Sequence, residues 1–117
     1  MRKGRAYIDY LRDMLDAIEK AQTFTRGMSR EQFDADYRTN FAVARALEII
    51  GEAAAKLPKS VTDHCPNIPW REVRGIRSKL IHDYFGVDLE VVWKTVQEDL
   101  PVLRRAITQL LGESLPE

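Results

Sequence analysis

Leu89-Glu90-Val91-Val92-Trp93-Lys94-Thr95-Val96-Gln97-Glu98-Asp99-Leu100-Pro101-Val102-Leu103-Arg104-Arg105-Ala106-Ile107-Thr108-Gln109-Leu110 is the stretch on which the fold turns. Its apolar residues Leu89, Val92, Trp93, Val96, Leu100, Leu103, Ile107 and Leu110 recur at three and four, the repeat of one buried helix face. Asp88 stands where an N-cap belongs, and Gly86 ends whatever helix precedes it. Pro101 removes one backbone hydrogen bond, so the helix is expected to kink there.

The same periodicity runs backwards through the chain. Tyr7, Leu11, Met14, Leu15 and Ile18 draw the stripe of a first helix over about residues 3–23, and Gly27 follows its end. Ser29-Arg30-Glu31-Gln32 reads as a capping box opening a short helical turn. A second long helix is expected over about 35–57, buried through Val43, Leu47, Ile50, Ala54 and Leu57. Small residues Ala44 and Gly51 on it allow a neighbouring backbone to come close. Pro58 closes this helix. Residues 58–69, with three prolines, read as a loop. A third helix is expected from about Trp70 towards Phe85, with Val73, Ile76, Leu80 and Tyr84 inward. No stretch alternates long enough for a strand. The expectation is an all-α, up-and-down bundle of four main helices plus a short helical turn, one domain spanning residues 1–117.

Composition permits this and narrows function little. Apolar residues form 44% and charged residues 31% of 117, a globular balance. Lysine plus arginine equals aspartate plus glutamate at 18 each, so a nucleic-acid site would have to be a local patch. A single cysteine, Cys65, rules out an internal disulfide and fits a reducing compartment. The basic start Met1-Arg2-Lys3-Gly4-Arg5 leads into no apolar signal region, and no run reaches membrane-span length. A soluble, cytoplasmic protein without a membrane partner is expected.

Reactive groups are few. The two histidines are His64 and His82. His64 beside Cys65 offers two ligands where a structural zinc site needs four, so no metal and no cofactor is expected. HExxH, phosphate-cradling glycine loops and nucleophile elbows are absent. His82 lies five residues after Arg77 and two before Tyr84, with Asp83 between. A histidine can take a proton from a ribose 2′-hydroxyl or give one to a leaving 5′-oxygen. An arginine fork matches a phosphate and the charge of its transition state. Together they suffice to cut RNA without a metal.

On one continuous helix, Arg77 and Tyr84 would lie within about 20° of each other and His82 about 140° from Arg77. Both could meet one phosphate if the helix unwinds, if the arginine reaches round, or if a second subunit completes the site. A purely structural reading also exists: Arg77, near the middle of the arc of Val73, Leu80, Ile81 and Tyr84, would be a core-edge ion pair with Glu48 or Glu52. His82 would then be a helix-end residue favoured by the dipole.

Arg77-x4-His82-x-Tyr84 resembles the R-x4-H-x-Y motif of HepT-like toxins in the HEPN superfamily. Ala46-Leu47-Glu48-Ile49-Ile50-Gly51-Glu52-Ala53-Ala54 is similar to the family's second-helix signature, and Ile68-Pro69-Trp70 with Gly75-Ile76-Arg77 to the approach to its motif. Val87-Asp88, Val92-Trp93 and Leu100-Pro101-x-Leu103 resemble its last helix. The resemblance runs from about Tyr7 to Leu110. It implies a HEPN-like bundle, a homodimer with the motif at the subunit cleft, and a metal-independent endoribonuclease toxin of a type VII-like toxin–antitoxin pair. In that reading Arg77 and His82 are catalytic, and Tyr84 contacts RNA and receives AMP from a minimal nucleotidyltransferase antitoxin. Ser78, Asp83, Glu48 and Glu52 are candidate supports, and Arg74 and Lys79 candidate guides for the RNA backbone. Ser78 stands where the family often has Asn, Asp or His. The alternative is a non-catalytic module that binds nucleotide or RNA, or docks the nucleotidyltransferase.

Overall fold

The computed structural model describes residues 6–81 and 86–112. Helix α1 spans Tyr7–Thr25 and buries Leu11, Met14, Ala17, Ile18 and Ala21. Gly27 follows with φ +79°, a left-handed conformation that glycine adopts without steric cost. The chain then enters α2, Arg30–Ala35, through the expected box. The Gln32 amide donates to Ser29 Oγ at 3.1 Å, and the Ser29 amide to Gln32 Oε1 at 2.9 Å.

Asp36 separates α2 from α3, Tyr37–Ala54. Its carboxylate accepts from the Thr39 amide at 3.0 Å and from the Thr39 hydroxyl at 2.8 Å, satisfying donors the new helix would otherwise leave bare. Asn40, fully inside, donates to the carbonyls of Phe33 and Asp34 and ties the end of α2 to α3. The second long helix therefore begins later and ends earlier than 35–57. Beyond Ala54 the amides of Lys56 and Leu57 bond only three residues back, a tightened last turn ahead of Pro58.

α3 is the hub, packed against α1 along its length and against α2 and three later helices. Gly51 is where α3 meets α5 and α6 most closely. A Cβ there would stand 2.6 Å from Ile76 Cγ2 and 3.1 Å from the Val73 carbonyl oxygen. The close approach expected of a small residue is present at this position.

Two expectations fail in the middle of the chain. The 58–69 loop contains a short helix α4, Lys59–Thr62, which buries Val61 beneath it. The helix expected from Trp70 towards Phe85 is two short ones, α5 (Trp70–Arg74) and α6 (Ile76–Leu80), broken at Gly75. Glycine is the weakest non-proline helix former, and here it redirects the chain so that Ile76 and Leu80 both point inward. The end at Leu80 has its own cause. The Asp88 amide donates to the Leu80 carbonyl at 2.6 Å and Ile81 forms an antiparallel bridge with Val87, so the backbone pairs across rather than winding on.

Asp88 caps α7, Leu89–Lys94, accepting from the amides of Glu90 and Val91. The helix continues through a π-helical turn, Thr95–Asp99, into α8, Leu100–Gly112. The expected disturbance at Pro101 takes this form: a wider turn lies just ahead of the ring, where an α-turn would press it against a carbonyl. α8 runs antiparallel to α1. Pro101, near its start, shares a cleft with Thr25, and further along Arg104 reaches back to Glu19 at 2.8 Å and to Gln22. Among the described residues the architecture is all-α, with one isolated bridge and no strand. None of its helices is long and apolar enough to cross a membrane.

Candidate active site

Ile76 and Leu80, one turn apart and buried, fix α6 on α3. The residues between them consequently face outward, and Arg77, Ser78 and Lys79 are all exposed. Arg77 does not lie in an apolar arc, as the continuous-helix reading requires. Its side chain is 72% exposed, because the break at Gly75 gives the inward positions to Ile76 and Leu80.

The expected carboxylate partner is there. Arg77 Nε lies 4.0 Å from Glu48 Oε2 on α3, and Glu48 is the more sheltered member at 24% exposure. Glu52 does not meet Arg77. It is reached instead by Arg45, whose Nη1 stands 3.7 Å from Glu52 Oε1 and 3.3 Å from Glu48 Oε1. Arg45 is the residue that sequence reasoning missed. Its spacing of three from Glu48 and seven from Glu52 places all three on one face of α3 and was the available signal. Glu48 is thus held between two arginines, which orients its second oxygen towards Arg77 and leaves the rest of that guanidinium facing solvent.

His82, Asp83 and Tyr84 lie outside the described residues. The flanks of residues 82–85 are well determined: Ile81 pairs with Val87, and Gly86 takes φ +84°. His82 follows directly on Ile81, two residues past the end of α6. The 140° separation calculated for an unbroken helix therefore has no helix to rest on. Of the candidate guides, Lys79 is two residues and about 200° from Arg77 around α6. It lines a separate cavity of about 240 Å³ with Glu72 and Asp99, so it does not join Arg77. Arg74 does lie on the α3 side, sharing a cleft with Ala55 and Trp70. His64 is exposed while its neighbour Cys65 is buried, so the two do not present a common ligand pair. Among the described residues no group of three or more His, Cys, Asp and Glu side chains could hold a metal ion.

An outward arginine steadied by one carboxylate, with a histidine and a tyrosine shortly beyond the helix end, is the arrangement the motif anticipates. Residues 14–110 match the family described as Ribonuclease HepT-like. The chain belongs to the HepT-like ribonuclease family. It is 51% identical over 106 residues to the "Probable ribonuclease HepT" of Thermococcus cleftensis, which covers 91% of this chain and 96% of that one. Two further relatives carry RNase in their names. One, from Methanocaldococcus jannaschii, is 38% identical over 104 residues, covering 89% of this chain and 86% of its own. The other, from Caldanaerobacter subterraneus, is 38% identical over 102 residues, covering 87% and 91%. No solved structure matches the chain. The fold and the HepT-like assignment therefore agree over nearly the whole sequence.

Proposed function

We propose that this HepT-like chain is an endoribonuclease that cuts RNA without a metal and works as one helical domain. The observation that carries the reading is the exposure of Arg77 beside Glu48: a guanidinium with one loosely placed partner keeps most of its donors for a phosphate. In the proposed reaction the ribose 2′-oxygen attacks the adjacent phosphorus and the bond to the 5′-oxygen breaks. His82 removes the 2′-proton or protonates the departing 5′-oxygen, and Arg77 balances the charge gathered on the non-bridging oxygens. The products are a 2′,3′-cyclic phosphate and a free 5′-hydroxyl, with no atom from a cofactor.

The regulatory half of the proposal follows the resemblance. A minimal nucleotidyltransferase antitoxin transfers AMP from ATP to the Tyr84 hydroxyl, releasing pyrophosphate and losing the phenolic proton. The adduct brings negative charge and bulk to the place where an RNA phosphate has to sit, which accounts for inhibition. Two copies pair so that their motifs share a cleft, Asp83 and Ser78 supporting the motif within it, in a cytoplasmic toxin–antitoxin system.

The test is an RNA digestion with purified protein in excess EDTA, followed by analysis of the new ends. Cleavage that leaves 2′,3′-cyclic phosphate supports the assignment. Intact RNA together with salt-dependent RNA binding would replace it with the non-catalytic binding module.

A further inference from the structure

Tyr37 and Phe41 are large aromatic side chains, each 72% exposed, one turn apart near the start of α3. Neither contributes to the core, and such exposure of two rings on one helix face is unusual without a use. At about 100° per residue, Tyr37, Phe41, Arg45, Glu48 and Glu52 fall within an arc of about 80°. The aromatic pair and the carboxylate that steadies Arg77 are therefore on a single solvent-facing stripe. Phe41 lies seven residues, about 10 Å along the axis, from Glu48.

The charge on this face is lopsided although the chain as a whole is neutral. Along α3 past its cap the cations are Arg38 and Arg45, with Lys56 just beyond the helix end. Arg77 reaches the stripe at Glu48, and Arg74 borders its far end beside Ala55. Against these five stand Glu48 and Glu52, both already engaged by Arg45. The surplus of positive charge suits a polyanion. A second copy laid face to face on the same stripe would oppose two positive surfaces, which disfavours that occupant.

We propose that this face of α3 is a track for single-stranded RNA, with Tyr37 and Phe41 as the shelf on which bases flanking the cleaved phosphate stack. The inference rests on the RNase reading above and extends it by assigning residues that hold substrate away from the reacting bond. Bases of any identity present a stackable face, so the shelf would add affinity with little sequence preference, while Arg38 and Arg45 follow the backbone. It also favours an unpaired strand over a duplex, whose bases are already stacked on one another.

The experiment measures binding of a fluorescein-labelled single-stranded RNA oligonucleotide whose 2′-hydroxyls are methylated, so that it cannot be cut. Wild type, Tyr37→Ala, Phe41→Ala and Phe41→Trp are compared, each with its melting temperature and its solution mass by light scattering. The expected result is a loss of affinity of about fivefold or more for each alanine variant at unchanged mass and melting temperature. Phe41→Trp retains affinity, and its indole emission is quenched by the oligonucleotide. Equal affinity in wild type and both alanine variants overturns the shelf while leaving the RNase reading intact. A change of solution mass in the alanine variants overturns it in favour of an interface between copies. Failure of the wild type to bind the oligonucleotide removes the RNase reading and the shelf together.

Discussion

Arg77 Nε stands 4.0 Å from Glu48 Oε2, with the arginine mostly in solvent and the glutamate mostly sheltered. A pair of this kind contributes little to stability, since an exposed guanidinium is screened and keeps its mobility. Replacing Arg77 with alanine should change unfolding free energy by no more than about 0.5 kcal/mol in a denaturant titration. RNA cleavage by the same variant should fall by about 100-fold or more, the scale of losing a transition-state donor. Arg77→Lys should recover only part of the rate, because a point charge lacks the planar fork. A large loss of stability with unchanged cleavage would return Arg77 to the role of a structural ion pair.

Gly51 fixes the distance between α3 and the helices that carry Arg77. Its replacement by alanine puts a methyl 2.6 Å from Ile76 Cγ2, and the Val73 carbonyl leaves little room to turn away. Overpacking of this sort costs about 1–3 kcal/mol, against a gain of up to about 1 kcal/mol in helix propensity. Thermal unfolding should therefore show Gly51→Ala destabilised. The same substitution in an Ile76→Ala background should be milder, a coupling that a double-mutant cycle would register.

Asp36 gives a pH signature at the start of α3. The Thr39 amide, then the Thr39 hydroxyl, then the nearby Arg38 charge hold its carboxyl below the ordinary range. A carboxyl lowered in the folded state adds stability that is fully present above its unfolded pKa of about 4. That contribution is lost as pH falls through the folded value. Asparagine caps helices about as well as aspartate but does not titrate. Asp36→Asn should match wild type near neutrality and lose less stability on acidification below about pH 4. Parallel melting-temperature curves for the two proteins down to pH 3 would contradict the assignment.

Much of this was legible in the sequence, and the failures share a cause. The stripes of α1, α3 and α8 could be read because each helix turns one continuous apolar face to the core, and the boxes at Ser29 and Asp88 because capping is local chemistry. The stretch from Trp70 onward misled because Val73, Ile76 and Leu80 keep helical spacing while Gly75 breaks the helix between them. Its end at Leu80 depends on a hydrogen bond from Asp88, eight residues away, which no local pattern announces. The same misreading put Arg77 towards the core. Once the break is known, the exposure of Arg77 follows from the burial of Ile76 and Leu80. The π turn before Pro101 replaced a simple kink for a related reason: proline's local demand was clear, but how the ladder absorbs it depends on the core that α8 must still reach.

The measurement that bears most directly on the central claim compares wild type with His82→Ala in RNA cleavage with EDTA present, each protein purified without any partner and matched for melting temperature. The account predicts cleavage by the wild type in the presence of chelator and a loss of at least about 100-fold in the variant, the lower end of what a positioned acid or base contributes. Equal cleavage by both proteins would contradict it and remove His82 from the reaction.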